Sequence, residues 1–347
     1  LGPAFSGISV VADRLYTMDS DAEHESLVRL DAATGDVVWR TAVGEMFEES
    51  FGNGPRSTPT VDGERVYVLG SLGDLAAVAA ESGEVRWQVA FRDAFGAEVP
   101  RRGFSESILV TGDLVVVSPG AGSDRSIAAL DKRTGEVRWT LRSDPGGYSS
   151  PIVVDFDDRR QIVMLSPTHA LGLTLEGALL WEHEFAPTVG VKPALPLWVR
   201  PDLLVFSASY DVGALALRLT SAGGSTTVQE VWQDRVMRNH FNSSVVVDGY
   251  IYGFDNATLR CIEAESGRSV WAKRGGLGKG SLLYADGHLI VLSETGRLLL
   301  IEATPDGFVE KSRSQALQGR SWTAPTLANG RLYVRNLEEM VCLDLRP

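Results

Sequence analysis

The sequence predicts an all-β fold: an eight-bladed β-propeller of four-stranded antiparallel blades, the last blade incomplete. Three observations predict it. A tryptophan-ended segment recurs along the chain, a hairpin-rich phrase precedes each copy, and no stretch keeps a helical period.

The clearest copy is SIAALDKRTGEVRWTL at 126–141, with Asp131, Gly135 and Trp139. The pattern returns around Asp31, Gly35 and Trp39, and at Gly83 and Trp87, Gly177 and Trp181, and Gly267 and Trp271. In all five copies Gly precedes Trp by four residues. A sixth copy ends at Trp232 without that glycine, and a seventh keeps Gly307 but has Lys311 in place of Trp. The eighth, MVCLDLRP, stops before its turn. The Asp-x-x-Thr-Gly phrase reads as a hairpin turn: Gly supplies a left-handed residue, and Asp and Thr bond backbone amides. Before each copy stands an apolar run, a tight turn and a second apolar run, as in SVVVDGYIYGFD and APTLANGRLYVRN. Asp-Gly and Asn-Gly between alternating hydrophobics are hairpin signals.

Each period of roughly 40 to 50 residues therefore holds four short strands, the arrangement of a propeller blade. The expected blades are 6–43, 57–91, 105–143, 149–186, 192–235, 242–274, 281–313 and 323–347, in one domain spanning 1–347. Trp39, Trp87, Trp139, Trp181, Trp232 and Trp271 hold one place in the repeat. That constancy predicts packing between blades, with the indole N–H given to a backbone carbonyl. The first copy begins at its innermost strand near Ile8, and the last stops at Pro347. The expectation is a natural chain longer at its N-terminus, whose added residues complete the last blade; a three-stranded final blade is the other reading.

The formal net charge is −12. It opposes nucleic acid as a partner, because that affinity comes mostly from Lys and Arg neutralising phosphates. Apolar runs are short and broken by Gly and Asp, well under the ~20 residues that span a bilayer. A membrane-spanning chain is excluded, and a signal peptide is expected to have been removed. Cys261 and Cys342 lie in apolar strand-like runs without a C-x-x-C pair, and both read as buried small hydrophobes. The histidines show no metal spacing, and the acidic clusters at 47–50 and 155–158 do not follow a calcium loop. No metal is expected.

Residues 129–139 match the A-x-D-x-x-T-G-x-x-x-W pattern of pyrroloquinoline-quinone-type propeller repeats. With the phrases GPRSTPTVDG (54–63), GYSSPIVV (147–154), RNHFNSSVVVDGYIYGF (238–254) and GKGSLLYADG (278–287), the chain resembles bacterial exported PQQ-binding-like β-propeller repeat proteins. These in turn resemble the lipoprotein scaffold of the outer-membrane β-barrel assembly machine. The resemblance implies an eight-bladed, quinoprotein-like ring, export to the periplasm and a protein partner in the envelope. Quinoprotein dehydrogenases are more distantly similar and would imply PQQ with Ca²⁺. Their adjacent cysteines and Glu/Asn/Asp metal set have no counterpart here, so no cofactor is expected.

Loops leading into the innermost strands vary in length and carry unusual side chains, the usual place for function on a rigid scaffold. A hydroxyl recurs at the strand entrance in Ser6, Ser57, Ser105, Ser149, Ser281 and Thr323, with Asn242 in one copy. A large or basic residue precedes it in Phe5, Arg56, Phe104, Tyr148, Phe241 and Trp322. If these positions face the channel mouth, the ligand-binding set is Arg56, Phe104, Ser105, Tyr148, Ser149, Lys192, Asn239, His240, Asn242, Lys279, Ser281, Arg320 and Trp322. Such a mixture suits a polypeptide or a small polar ligand. The competing reading has the hydroxyls capping turns and the aromatics closing a core. His240 and Glu106 are the acid–base candidates, without a nucleophile elbow. The expected function is a non-catalytic binding or scaffold propeller of the bacterial cell envelope, acting as a monomer. The alternatives are a PQQ-dependent oxidoreductase acting on alcohols or sugars, and a hydrolase or lyase.

Overall fold

The computed structural model describes residues 1–186 and 192–346; the connection 187–191 and residue 347, the end of the expected last blade, lie outside the described residues. Eight antiparallel sheets follow one another along the chain, each of consecutive strands in simple order. Seven have four strands and the last has three, giving an eight-bladed propeller with an incomplete final blade. Blade 1, for example, runs Ser9–Val11, Arg14–Ser20, His24–Asp31 and Val37–Glu45.

The residues group into two compact units: Leu1–Tyr148 with Thr326–Pro347, and Ser149–Pro325. The first unit holds blades 1 to 3 and blade 8; the second holds blades 4 to 7. Within each unit the hydrophobic core lies between successive blades. One cluster joins Tyr67, Leu69 and Leu75 of blade 2 to Val115, Val117 and Leu130 of blade 3. Another joins Tyr252, Phe254 and Leu259 of blade 6 to Leu289, Val291 and Leu299 of blade 7. Each such side chain contributes about 1.5–3 kcal/mol by leaving water.

The repeat motif has a clear physical purpose. In the third-to-fourth strand hairpin, Asp31 Oδ1 accepts the amides of Ala33 and Thr34 at 2.8 and 2.9 Å. Asp131 does the same for Arg133 and Thr134 at 2.8 and 3.1 Å. The turn glycines Gly35 and Gly135 both sit at φ +77°, where a side chain is disfavoured. The ladder then slips by one residue just before the tryptophan, between Arg29/Leu30 and again between Ala129/Leu130. Such a bulge increases local twist.

The indoles cross to the next blade. Trp39 Nε1 donates to Glu81 O at 3.0 Å, Trp87 to Lys132 O at 3.1 Å, Trp232 to Ala264 O at 2.9 Å and Trp271 to Thr304 O at 2.9 Å. The ring lies on the neighbour's turn glycine: a Cβ on Gly83, Gly135 or Gly267 would stand 2.7 to 2.9 Å from Trp39, Trp87 or Trp232. Trp181 departs from the expected backbone bond and donates to the Gln161 side chain of its own blade at 3.0 Å. Gln161 is fully buried, and its amide needs this partner.

Two further features depart from the sequence reading. A single turn of helix, Phe91–Phe95, follows blade 2 and ends on Gly96 at φ +72°. Its Phe91 and Phe95 fill the core beside Phe104, too short a segment to leave a helical period in the sequence. Cys261 is buried as expected, but Cys342 is exposed. It lies on Met340–Asp344, the last strand of the three-stranded blade, with no fourth strand in that sheet to cover it.

Candidate functional site

Simple up-and-down order decides which loops share an end of the sheets. The turn between the second and third strands lies at the same end as the connection from a fourth strand to the next blade. The Asp-x-x-Thr-Gly turns lie at the other end. Function therefore has to be sought in two kinds of loop.

In the second unit these loops bring aromatic rings into a continuous row. Tyr210 stands in the turn between Leu203–Ala208 and Gly213–Ala222 of blade 5. Its ring centroid is 5.1 Å from that of His240, and Tyr210 Oη shares a 3.1 Å hydrogen bond with His240 Nε2. His240 meets Phe241 edge-on at 5.0 Å, and Phe241 meets Trp322 at 4.5 Å. The Arg320 guanidinium closes the row, 4.6 Å from the Trp322 ring centroid. Tyr210 is 47 % exposed, and Arg320 is also exposed; the rings between them are half-buried.

The row is held from beneath. Asn239 is buried and donates from Nδ2 to Phe254 O at 3.0 Å, while its Oδ1 accepts Ser244 Oγ at 3.1 Å. Arg238 bonds Asp255 through Nε at 2.5 Å and Nη2 at 3.2 Å, and Arg260 reaches the same carboxylate at 2.9 Å. Glu294 Oε1 accepts the Trp322 indole at 2.9 Å, and its Oε2 accepts the Lys279 amide at 3.1 Å. Burial, and then the nearby Lys279 ammonium, lower the His240 pKa to about 4. The imidazole is therefore neutral at pH 7, an aromatic hydrogen-bonding group rather than a cation.

Other residues of the expected set lie inside the structure. Ser149 Oγ donates to Ala194 O at 2.7 Å, reaching the next blade, and Ser281 Oγ donates to Thr323 O at 3.4 Å. Thr326, Ser9 and Thr60 make the same bridge in the first unit, to Ile8 O, Pro59 O and Ile108 O at 2.9, 2.6 and 2.6 Å. Innermost strands of adjacent blades share no ladder, so their carbonyls need such donors. Ser149, Ser281 and these neighbouring hydroxyls thus act as staples, whereas the buried Ser57 Oγ has no partner among the described residues. Lys192 is buried, donating to Ser166 O at 3.1 Å and to Phe185 O. Phe104 is buried core, 5.2 Å from Phe91.

In the first unit Arg56 is a loop clamp. It donates to Gly54 O at 2.6 Å and Gly52 O at 3.1 Å, lies over Phe5 and Phe47, and stands 3.6 Å from Glu49. Arg102 pairs with the same Glu49 and covers Phe51 at 4.5 Å. Tyr148 lies close enough to Arg56 to be felt electrostatically, and Ser105 is half-buried at its strand entrance. Glu106, the proposed acid, is buried; its Oε1 accepts the Ser118 amide at 2.6 Å and burial raises its pKa to about 7.

Asn242 takes the strand-entrance position that Ser149 and Ser281 hold elsewhere. It is 6 % exposed, and neither amide atom has a partner among the described residues. Asn242→Ser is expected to stabilise the chain by about 1 kcal/mol, because a buried unsatisfied amide is replaced by a hydroxyl that fits the staple. A urea midpoint equal to or below that of the parent chain would refute this.

Among the described residues no group of three or more His, Cys, Asp or Glu side chains gathers to hold a metal. Nor is any helix among the described residues long and apolar enough to cross a membrane.

Known proteins align with this chain over nearly its whole length. It is 24% identical to the outer membrane protein assembly factor BamB of Yersinia pestis, over 97% of this chain and 72% of that one. It is 25% identical to the protein of the same description from Escherichia coli strain K12, over 88% and 77%. The crystal structure of BamB from Moraxella catarrhalis superposes with a TM-score of 0.69 at 17% identity, covering 96% of this chain and 92% of that one. Quinohemoprotein alcohol dehydrogenase from Comamonas testosteroni gives 0.64 at 13% identity, covering 95% and 69%. At that identity the likeness shows a shared fold alone. The model of the family described as outer membrane protein assembly factor BamB matches residues 23–273 and 255–344, and the chain belongs to that family.

Proposed function

We propose that this chain is a non-catalytic scaffold in the bacterial envelope that holds a polypeptide during outer-membrane protein assembly. The family and its relatives' descriptions support the class of work. The row Tyr210–His240–Phe241–Trp322 in the second unit is the observation that carries the polypeptide reading. Aromatic rings held rigidly from below give a large contact area at little entropic cost, the character of interface hot spots. The supports, buried Asn239 and Asp255 and half-buried Glu294, pre-organise the row without occupying its surface.

The probe is a fluorescently labelled, urea-denatured outer-membrane β-barrel protein, presented by dilution and followed by anisotropy. The parent chain is expected to bind it saturably. Phe241→Ala with Trp322→Ala is expected to weaken binding about thirtyfold, the loss of one strong hot spot. Unchanged affinity in the double variant overturns the chosen face; no saturable binding by the parent chain overturns the reading.

A further inference from the structure

Blade 5 differs from the other blades in its outer hairpin. Its last two strands, Gly213–Ala222 and Ser225–Asp234, have ten residues each, the longest among the described residues. Gly223 and Gly224 join them at φ +59° and +78°, a two-residue turn whose twist suits an antiparallel hairpin. Blade 4 holds the hairpin from one side. Arg159 donates to Gly224 O at 2.9 Å, the buried Gln161 donates to Thr226 Oγ1 at 3.3 Å, and Ser221 bonds Asp157. Val228 packs on the core shared by blades 4 and 5, and His183 stands 3.6 Å from Glu230. The other edge of Ser225–Asp234 pairs with no strand among the described residues. Such an edge turns alternate amides and carbonyls outward, and proteins usually blunt it with Lys or Pro. The outer strands of blades 1, 2, 3, 6 and 7 carry Arg40, Arg86, Arg138, Lys273 and Lys311. STTVQEVWQD in blade 5 carries no Lys, Arg or Pro. Its charges are acidic, Glu230 and Asp234, and the neighbouring outer strand of blade 4, LLWEHE, adds Glu182 and Glu184. Thr227, Gln229 and Val231 are exposed.

We propose that residues 225–230 are a docking edge for a partner protein, which adds an extended segment with Lys or Arg at alternate positions as a fifth strand of blade 5. The ladder slips at Val231, between the pairs made by Glu230 and Trp232, so 225–230 is the regular stretch. Main-chain hydrogen bonds supply the affinity of such strand addition, and alternate side chains supply the specificity. A cation across from Glu230 makes a favourable cross-strand pair. A second copy of this chain fits poorly, because it would bring Glu230 and Asp234 of both copies to one seam with no Lys or Arg on either strand. The inference does not rest on the aromatic row: Tyr210 stands in the turn at the other end of Gly213–Ala222 from Gly223 and Gly224.

The test uses three fluorescently labelled decapeptides followed by anisotropy. In the first, Lys alternates with Thr or Val; in the second, Gln replaces Lys; the third is the first with alternate backbone amides N-methylated. The parent chain is expected to bind the Lys peptide saturably and about threefold more tightly than the Gln peptide at low salt, the contribution of one exposed ion pair. That preference should shrink as salt rises. N-methylation should weaken binding more than tenfold, because several edge hydrogen bonds are lost at once. Glu230→Gln should erase the preference for Lys while leaving affinity for the Gln peptide unchanged, a readout that loss of folding would not give. Thr227→Lys with Gln229→Lys should abolish binding by blunting the edge. The N-methylated peptide leaves the protein untouched, so it decides the matter even if that double variant fails to fold. Equal binding of the methylated peptide, equal affinity for the Lys and Gln peptides, or binding of no peptide overturns the proposal. So does a dimer of the parent chain that the double Lys variant returns to monomer, which would assign the edge to a second copy. Phe241→Ala with Trp322→Ala is expected to bind the Lys peptide as the parent chain does; loss there would place the peptide on the aromatic row and also overturn the proposal.

Discussion

Glu106→Gln is expected to raise stability by about 3 kcal/mol above about pH 8 and to leave it nearly unchanged near pH 4.5. Glu106 is 2 % exposed, its Oε1 accepts the Ser118 amide at 2.6 Å, and Oε2 has no partner among the described residues. Burial disfavours the ionised form and raises the pKa to about 7, against an ordinary value of 4.5. The unfolded chain ionises this carboxyl first, so folding above its ordinary pKa requires taking up a proton or burying a charge. The penalty is absent below about pH 4.5, grows as pH rises, and is complete above about pH 7. Gln keeps the acceptor for Ser118 and carries no charge at any pH. Urea midpoints of the two proteins across this range provide the measurement. Parallel pH profiles would show that water or a rearranged backbone solvates the carboxylate after all.

The second large effect separates backbone strain from packing at one motif position. Gly35 and Gly135 share φ +77°, so Ala at either incurs the left-handed penalty of about 1 kcal/mol. At Gly35 an added Cβ meets nothing within 4 Å; at Gly135 it stands 2.9 Å from Cδ2 and Cε3 of Trp87. Trp87 cannot swing aside readily, because its indole is tied to Lys132 O and the ring is 9 % exposed. Gly35→Ala is expected to cost about 1 kcal/mol and Gly135→Ala about 3 kcal/mol, overpacking being added to strain. Thermal or urea midpoints distinguish the two. Equal losses would mean that the Trp–Gly contact yields easily and that the glycine is retained for its turn alone.

The repeat was legible because one spacing serves several needs at once. Asp131 closes the turn, Gly135 permits its left-handed residue, and Trp87 of the preceding blade lies on that glycine. A residue with that many constraints recurs visibly. The site was only half legible. His240, Lys279, Arg320 and Trp322 were picked out as unusual loop residues, and the row contains or borders each of them. Tyr210 and Glu294 were missed because they stand in second-to-third strand turns, outside the strand-entrance alignment. Strand parity would have found them, since those turns share an end with the connections between blades. Conversely, Ser149 and Ser281 drew attention by recurring, and the recurrence reflects staples to backbone carbonyls.

The sequence by itself determined the all-β class, the eight blades and the incomplete last blade, because hairpin turns and strand alternation are local and repeat along the chain. Tertiary structure alone decided which polar side chains are spent internally and which remain at the surface. Lys192 and Lys279 look alike in sequence, yet the first is enclosed by Ser166 and Phe185 carbonyls and the second stands half-buried near His240, with no carboxylate paired to its ammonium among the described residues. That difference depends on which carbonyls and carboxylates neighbouring loops bring within reach, and no local spacing encodes it.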